Sequence, residues 1–283
     1  AEAPSAAAQP IKANPPVHPD STIRVPATMA PPGDSLAQAA LEASPRHGEW
    51  VAIPLGDSGP KLRSWVVHPE RKDKAPVVIV IPEIYGLTAW LRAVADRLAG
   101  DGFIAIAPDY LSGLGPGGGG TDSVASRDEA VKLTRGLSFE EVARRTNAAR
   151  AYGAKLPAAS NKVATIGFCW GGAMSFAYAA QDDEPDAAVV FYGSAPDSAT
   201  LLKVDAPVLG LYGADDARVN ATIPAAKAAM AANKEFYEAN EYPGAGHGFL
   251  RAQGDRAGAN ARAAGQAWPR AMAFLREHLE DGK

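Results

Sequence analysis

Cys169 is the only cysteine among 283 residues, and it stands in the run Thr165-Ile166-Gly167-Phe168-Cys169-Trp170-Gly171-Gly172-Ala173. A continuous apolar stretch meets small residues there and then a helix-forming one, which is the G-x-S-x-G nucleophile elbow with cysteine at the serine position. Glycines flank such a turn because neighbouring backbone passes too close for side chains. The geometry leaves the thiol at a helix N-terminus, where unpaired N–H groups are expected to lower its pKa and the N–H of Trp170 can face a developing oxyanion. Taken alone, the cysteine reads equally well as a small core residue. Residues further along the chain favour chemistry. An elbow of this kind needs an acid after a later strand and then a histidine, in that order. Pro207 to Tyr212 runs into Gly213-Ala214-Asp215-Asp216, and Gly244-Ala245-Gly246-His247-Gly248 supplies a histidine in a glycine-rich loop. Of the five histidines, His18, His47 and His68 precede the elbow and His278 falls in a terminal helical pattern, which leaves His247.

The elements that must position these residues follow from periodicity. Glu49 to Pro54 and Lys61 to Val67 flank the turn-rich Gly56-Asp57-Ser58-Gly59-Pro60 and predict an antiparallel pair at the N-terminal edge. Pro76 to Ile81, Phe103 to Ala107, Lys162 to Phe168, Ala187 to Tyr192 and Pro207 to Tyr212 are short runs, apolar on both faces. Helical patterns lie between them: Leu91, Val94, Ala95 and Leu98 share one face, and Ser138-Phe139-Glu140-Glu141 has capping-box spacing at the head of a stretch to about Gly153. Near the end, Trp268, Met272, Leu275 and Leu279 share another face. The pattern predicts an α/β fold, a mostly parallel central sheet covered by helices on both faces.

Composition narrows the function. A formal charge of −4 gives no general attraction to nucleic acid or anionic lipid, and no apolar run approaches the ~20 residues that span a bilayer. One cysteine can build neither an intrachain disulfide nor a cysteine-based zinc site. Gly113-Leu114-Gly115-Pro116-Gly117-Gly118 matches the dinucleotide fingerprint in letters only: Pro108-Asp109-Tyr110 separates it from its strand, and more glycines stand where a helix should begin. It is expected to be a mobile loop. Residues 1–45 hold nine of the 23 prolines and read as an extended arm, within which Leu36 to Leu41 can form a helical turn; residues 46–283 form the expected catalytic domain. The opening Ala-Glu-Ala-Pro-Ser resembles what signal-peptidase cleavage leaves on an exported protein, so a periplasmic or secreted location is the expectation, with a cytoplasmic one as the alternative.

From about Pro76 to Leu279 the chain resembles the dienelactone hydrolase family of α/β-hydrolases. Four motifs carry the resemblance in order: Ile81-Pro82-Glu83-Ile84-Tyr85-Gly86-Leu87, the Cys169 elbow, the Asp216 loop and the His247 loop. The resemblance implies an α/β-hydrolase fold and a Cys169-His247-Asp216 triad, with Asp216 preferred to Asp215 because Gly213-x-x-Asp216-x-x-Val219 fits the family spacing. It implies that Glu83 touches the cysteine and helps form the thiolate when substrate arrives. It makes the N–H of Ile84 the second oxyanion donor beside Trp170. Arg127 and Arg251 fall where the family holds a substrate carboxylate, and Tyr85 is placed with them; solvated surface arginines are the plainer reading of both. Gly248 departs from the family, which carries a hydroxyl residue there. The implied reaction is hydrolysis of a small acidic enol lactone, with neutral esters as the alternative substrate and a non-catalytic binding protein as a more distant one. No metal or organic cofactor is required.

Overall fold

A computed structural model describes residues 29–280, apart from Ser58 and Glu184. The sheet is built first from an antiparallel pair, β1 (Gly48–Pro54) and β2 (Lys61–Val67), in register from Gly48 opposite Val67 to Pro54 opposite Lys61. β3 (Ala75–Ile81), β4 (Ile104–Pro108), β5 (Ala159–Phe168), β6 (Ala187–Phe191), β7 (Val208–Gly213) and β8 (Tyr237–Tyr242) complete it. The spatial order is β1-β2-β4-β3-β5-β6-β7-β8; β2 pairs antiparallel with both neighbours and every later pairing is parallel. The expected mostly parallel sheet with its antiparallel edge is therefore present.

Alternate residues of one central strand feed two cores. Val78 and Val80 of β3 pack with α2 (Ala89–Gly100) and α9 (Ala259–Leu279) on one face. Val77 and Ile79 pack against α4 (Phe139–Ala154) on the other. Strands wholly apolar in sequence are those buried on both sides, as the parallel arrangement requires. The capping signals work as read: the Ser138 side chain accepts the Glu141 N–H at 3.2 Å, opening α4. Trp268, Met272, Leu275 and Leu279 all face the core from α9.

Within the expected arm, residues 34–36 form a 3-10 turn that runs into α1 (Ala37–Ala43). Ala37 is buried with the α2 core, the Trp90 indole N–H donates to the Pro32 carbonyl at 3.1 Å, and the Gln253 amide donates to Pro31 at 2.8 Å. This part of the arm is docked. Residues 1–28, including those behind the export reading, lie outside the described residues. No helix of the described residues is long and apolar enough to cross a membrane. Between the remaining strands lie α3 (Arg127–Arg135), α5 (Trp170–Tyr178), α6 (Ser198–Leu201), α7 (Ala217–Asn220) and α8 (Ile223–Asn233).

Candidate active site

Cys169 sits between β5 and α5 with φ 56° and ψ −115°, a conformation that costs a non-glycine residue energy and persists only where its surroundings impose it. The glycines make room for that turn. A Cβ on Gly167 would stand 1.9 Å from the Gly171 carbonyl oxygen, and one on Gly171 would stand 2.3 Å from that of Pro82. The strand-to-helix corner thus fits against the end of β3, and the residue that follows Pro82 is Glu83.

Three side chains from three loops meet at this corner. The Cys169 Sγ lies 3.0 Å from Nε2 of His247, and Nδ1 of the same ring lies 2.5 Å from Oδ2 of Asp216. Asp216 follows β7 and is buried, whereas the neighbouring Asp215 turns outward to Arg256 at 2.7 Å. The His247 loop is tied down from below, because the Asn260 side chain accepts the Gly246 N–H at 3.1 Å and donates to the Ala252 carbonyl at 2.8 Å. Tyr192, at the end of β6, lies edge-on to the imidazole with ring centres 5.4 Å apart. Tyr192 and Asn260 were not singled out in the sequence. Only the strand-end position of Tyr192 hinted at a role, and Asn260 gave no signal.

The electrostatics correct one expectation. The Trp170 N–H at the helix N-terminus does lower the thiol, but burial and then the nearby Glu83 carboxylate outweigh it and push the thiol up to about 11. The resting site therefore holds a protonated thiol. Burial also raises Glu83, with Arg251 opposing that rise. The Tyr192 hydroxyl is held well above its ordinary value by burial and by Glu83, which it faces without normal hydrogen-bond geometry.

Glu83 is 5% exposed and is gripped by Arg251, whose Nε lies 2.6 Å from Oε2. Its partner in the structure is thus Arg251, while the thiol points to His247. Glu83, Ile84, Tyr85 and Gly86 form the turn after β3, closed by the Gly86 N–H donating to Glu83 at 3.1 Å. Thr121 accepts the Leu87 N–H at 3.0 Å and donates to Asp109 at 2.6 Å, so the glycine-rich loop after β4 braces this turn. Arg127, at the start of α3, and Arg251 both lie over the Tyr85 ring, 5.1 and 5.6 Å from its centre. The two arginines are brought together as expected, and both also face Asp34 of the N-terminal segment, which the sequence did not single out. Among the described residues, no three His, Cys, Asp or Glu side chains cluster as metal ligands would.

An imidazole aligned between a thiol and a buried carboxylate at a strand-to-helix corner belongs to α/β-hydrolases, and the family model of dienelactone hydrolases matches residues 62–279. The chain belongs to the dienelactone hydrolase family. It is a hydrolase of the carboxylic ester class. A Yersinia pestis protein provisionally named carboxymethylenebutenolidase is 30% identical, the match covering 79% of this chain and 86% of the relative. A Saccharolobus solfataricus protein with the same provisional name is 30% identical over 77% of this chain and 95% of its own. Among solved structures, a provisionally described dienelactone hydrolase from Klebsiella pneumoniae has a TM-score of 0.71 at 28% identity, covering 82% of this chain and 99% of that one. A dienelactone hydrolase-like promiscuous phosphotriesterase from metagenomic libraries reaches 0.68 at 25% identity, covering 83% and 99%.

Proposed function

We propose that this dienelactone hydrolase family member is a cysteine hydrolase of small lactones and esters, with Cys169 as nucleophile. The observation that carries the reading is the aligned set of Cys169, His247 and Asp216, spaced at 3.0 and 2.5 Å on the elbow. Because the thiol is held up to about 11, little free thiolate waits at neutral pH, and proton transfer must accompany attack. His247 takes the thiol proton as sulfur bonds to the carbonyl carbon, and Asp216 fixes the tautomer and supports the imidazolium. The N–H groups of Trp170 and Ile84 stabilise the oxyanion. Collapse returns the proton to the leaving oxygen and leaves a thioester, which water hydrolyses with His247 again as the base.

Arg127, Arg251 and Tyr85 support a substrate bearing a carboxylate, such as a small acidic enol lactone, since a guanidinium recognises carboxylate with two parallel donors. A carboxylate that takes Arg251 also frees Glu83, whose unpaired, buried carboxylate then becomes more basic and can assist thiolate formation. A second reading, neutral esters, is favoured by a specific observation: both arginines already face acidic side chains, Asp34 and Glu83. Hydrolysis of dienelactones beside neutral esters, with and without a thiol alkylator, tests both. Alkylator-sensitive turnover supports the nucleophile, and turnover that survives complete alkylation of Cys169 refutes it.

A further inference from the structure

The family match begins at residue 62, yet a segment well before it reaches the site. Pro31 and Gly33 are buried, and the carbonyls of Pro31 and Pro32 are held by Gln253 and Trp90. The Asp34 N–H then donates to the Arg251 carbonyl at 2.9 Å. This backbone bond fixes Asp34 against the residue whose guanidinium it faces. A Cβ on Gly33 would stand 3.2 Å from that same carbonyl, so the approach leaves little room for a side chain there.

The carboxylate thus held lies between two cations. Oδ2 of Asp34 is 3.3 Å from Arg127 and 3.8 Å from Arg251. Both guanidiniums lie over Tyr85, and Arg251 is also bound to Glu83, whose Oε1 would lie 3.9 Å from a Cβ on Gly248, next to His247. An anion-recognising pair beside the reacting groups is therefore occupied by an anion of the chain itself.

We propose that Asp34 is a specificity-determining residue, whose carboxylate holds the anion position between Arg127 and Arg251 against carboxylate-bearing substrates and so favours uncharged esters and lactones. The substrate part of this rests on the hydrolase reading above; the occupancy of the anion position does not. An incoming carboxylate must displace Asp34 and meets its negative charge. Uncharged substrates meet neither obstacle. The Asp34 side chain is 37% exposed and faces Arg127 at 68% and Arg251 at 23%, so the Arg127 contact is largely screened by solvent and the Arg251 side less so; removing the charge is expected to be worth about tenfold.

The test compares Asp34→Asn, which keeps size and the backbone anchor, with the unaltered chain. Succinate is titrated calorimetrically into both in a Cys169→Ala background, and 4-nitrophenyl hemisuccinate and 4-nitrophenyl butyrate are compared as substrates with Cys169 intact. Asp34→Asn is expected to bind succinate about tenfold tighter and to raise the hemisuccinate-to-butyrate ratio of kcat/KM by a similar factor. Asp34→Glu, which keeps the charge, is expected to stay within threefold of the original on both readouts. Succinate affinity within twofold of the original in Asp34→Asn overturns the proposal, as does an equal tightening in Asp34→Glu, which would mean that a loosened segment rather than a lost charge is responsible. Tighter succinate binding with no Cys169-dependent turnover of either ester leaves the occupancy standing and removes the reading of Cys169 as the nucleophile for such esters.

Discussion

Arg251 and Glu83 form the most buried ion pair at the site, Nε to Oε2 at 2.6 Å, with the carboxylate side chain 6% exposed and the guanidinium 23%. The pair ties the turn after β3 to the loop that carries His247. Removing one partner of a buried pair costs more than removing both, because the survivor is left uncompensated. Arg251→Ala is expected to destabilise the fold by about 2 kcal/mol, less than a fully dry pair would lose because Glu83 can take up a proton. In urea unfolding, the Arg251→Ala, Glu83→Gln double variant should recover part of that loss. Additive losses would show that the two residues are not coupled.

The raised thiol gives a pH prediction. Thiolate, not thiol, reacts with iodoacetamide, so below about 11 the alkylation rate of Cys169 should climb about tenfold per pH unit. Glu83→Gln removes a negative charge that disfavours the thiolate, so the profile should move to lower pH. A profile that levels off near pH 7 would contradict the raised thiol, and one that moves upward in that variant would contradict the effect of the Glu83 charge on it.

Asp216 and Asp215 are adjacent, yet only Asp216 meets His247. Asp216→Asn should lower kcat by about a thousandfold or more, because the amide supports the wrong tautomer and no imidazolium. Asp215→Asn, which loses a surface contact with Arg256, should stay within about threefold. Steady-state kinetics on one activated ester ranks the two, and the reverse order would assign the acid to Asp215.

The elbow glycines make a stability prediction. Gly171→Ala puts a methyl group 2.3 Å from the Pro82 oxygen, where backbone must move, and is expected to cost about 3 kcal/mol or more. Gly265, exposed in α9 with open space around it, should gain roughly 0.5–1 kcal/mol on becoming alanine. Thermal denaturation of the two variants should shift in opposite directions.

The contrast between these positions shows what a linear sequence carries. Gly167, Cys169 and Gly171 were legible because a sharp turn imposes residue types at fixed spacing, and the apolar strands were legible because burial on both faces forbids polar residues. The edge strand β8, Tyr-Glu-Ala-Asn-Glu-Tyr, was not, since one side of it needs no partner strand and its side chains are mostly half-buried. Helix α8 was missed for a related reason: its alanine-rich run has no marked apolar face. The cysteine pKa was read in the wrong direction because the helix N-terminus is local, whereas burial and Glu83 belong to the assembled site. Asp34 stands 93 residues from Arg127 and 217 from Arg251, and no spacing rule spans that distance.

The claim that Cys169 carries the acyl group can be tested by mixing the protein with excess 4-nitrophenyl butyrate, quenching in acid within the first turnovers, and mapping the mass of the Cys169 peptide. The mechanism predicts one added butyryl group on Cys169, a matching burst of nitrophenolate, and loss of adduct, burst and turnover in Cys169→Ala. Turnover in Cys169→Ala above a few per cent of the original, or an acyl group found on another residue with Cys169 unmodified, would contradict it.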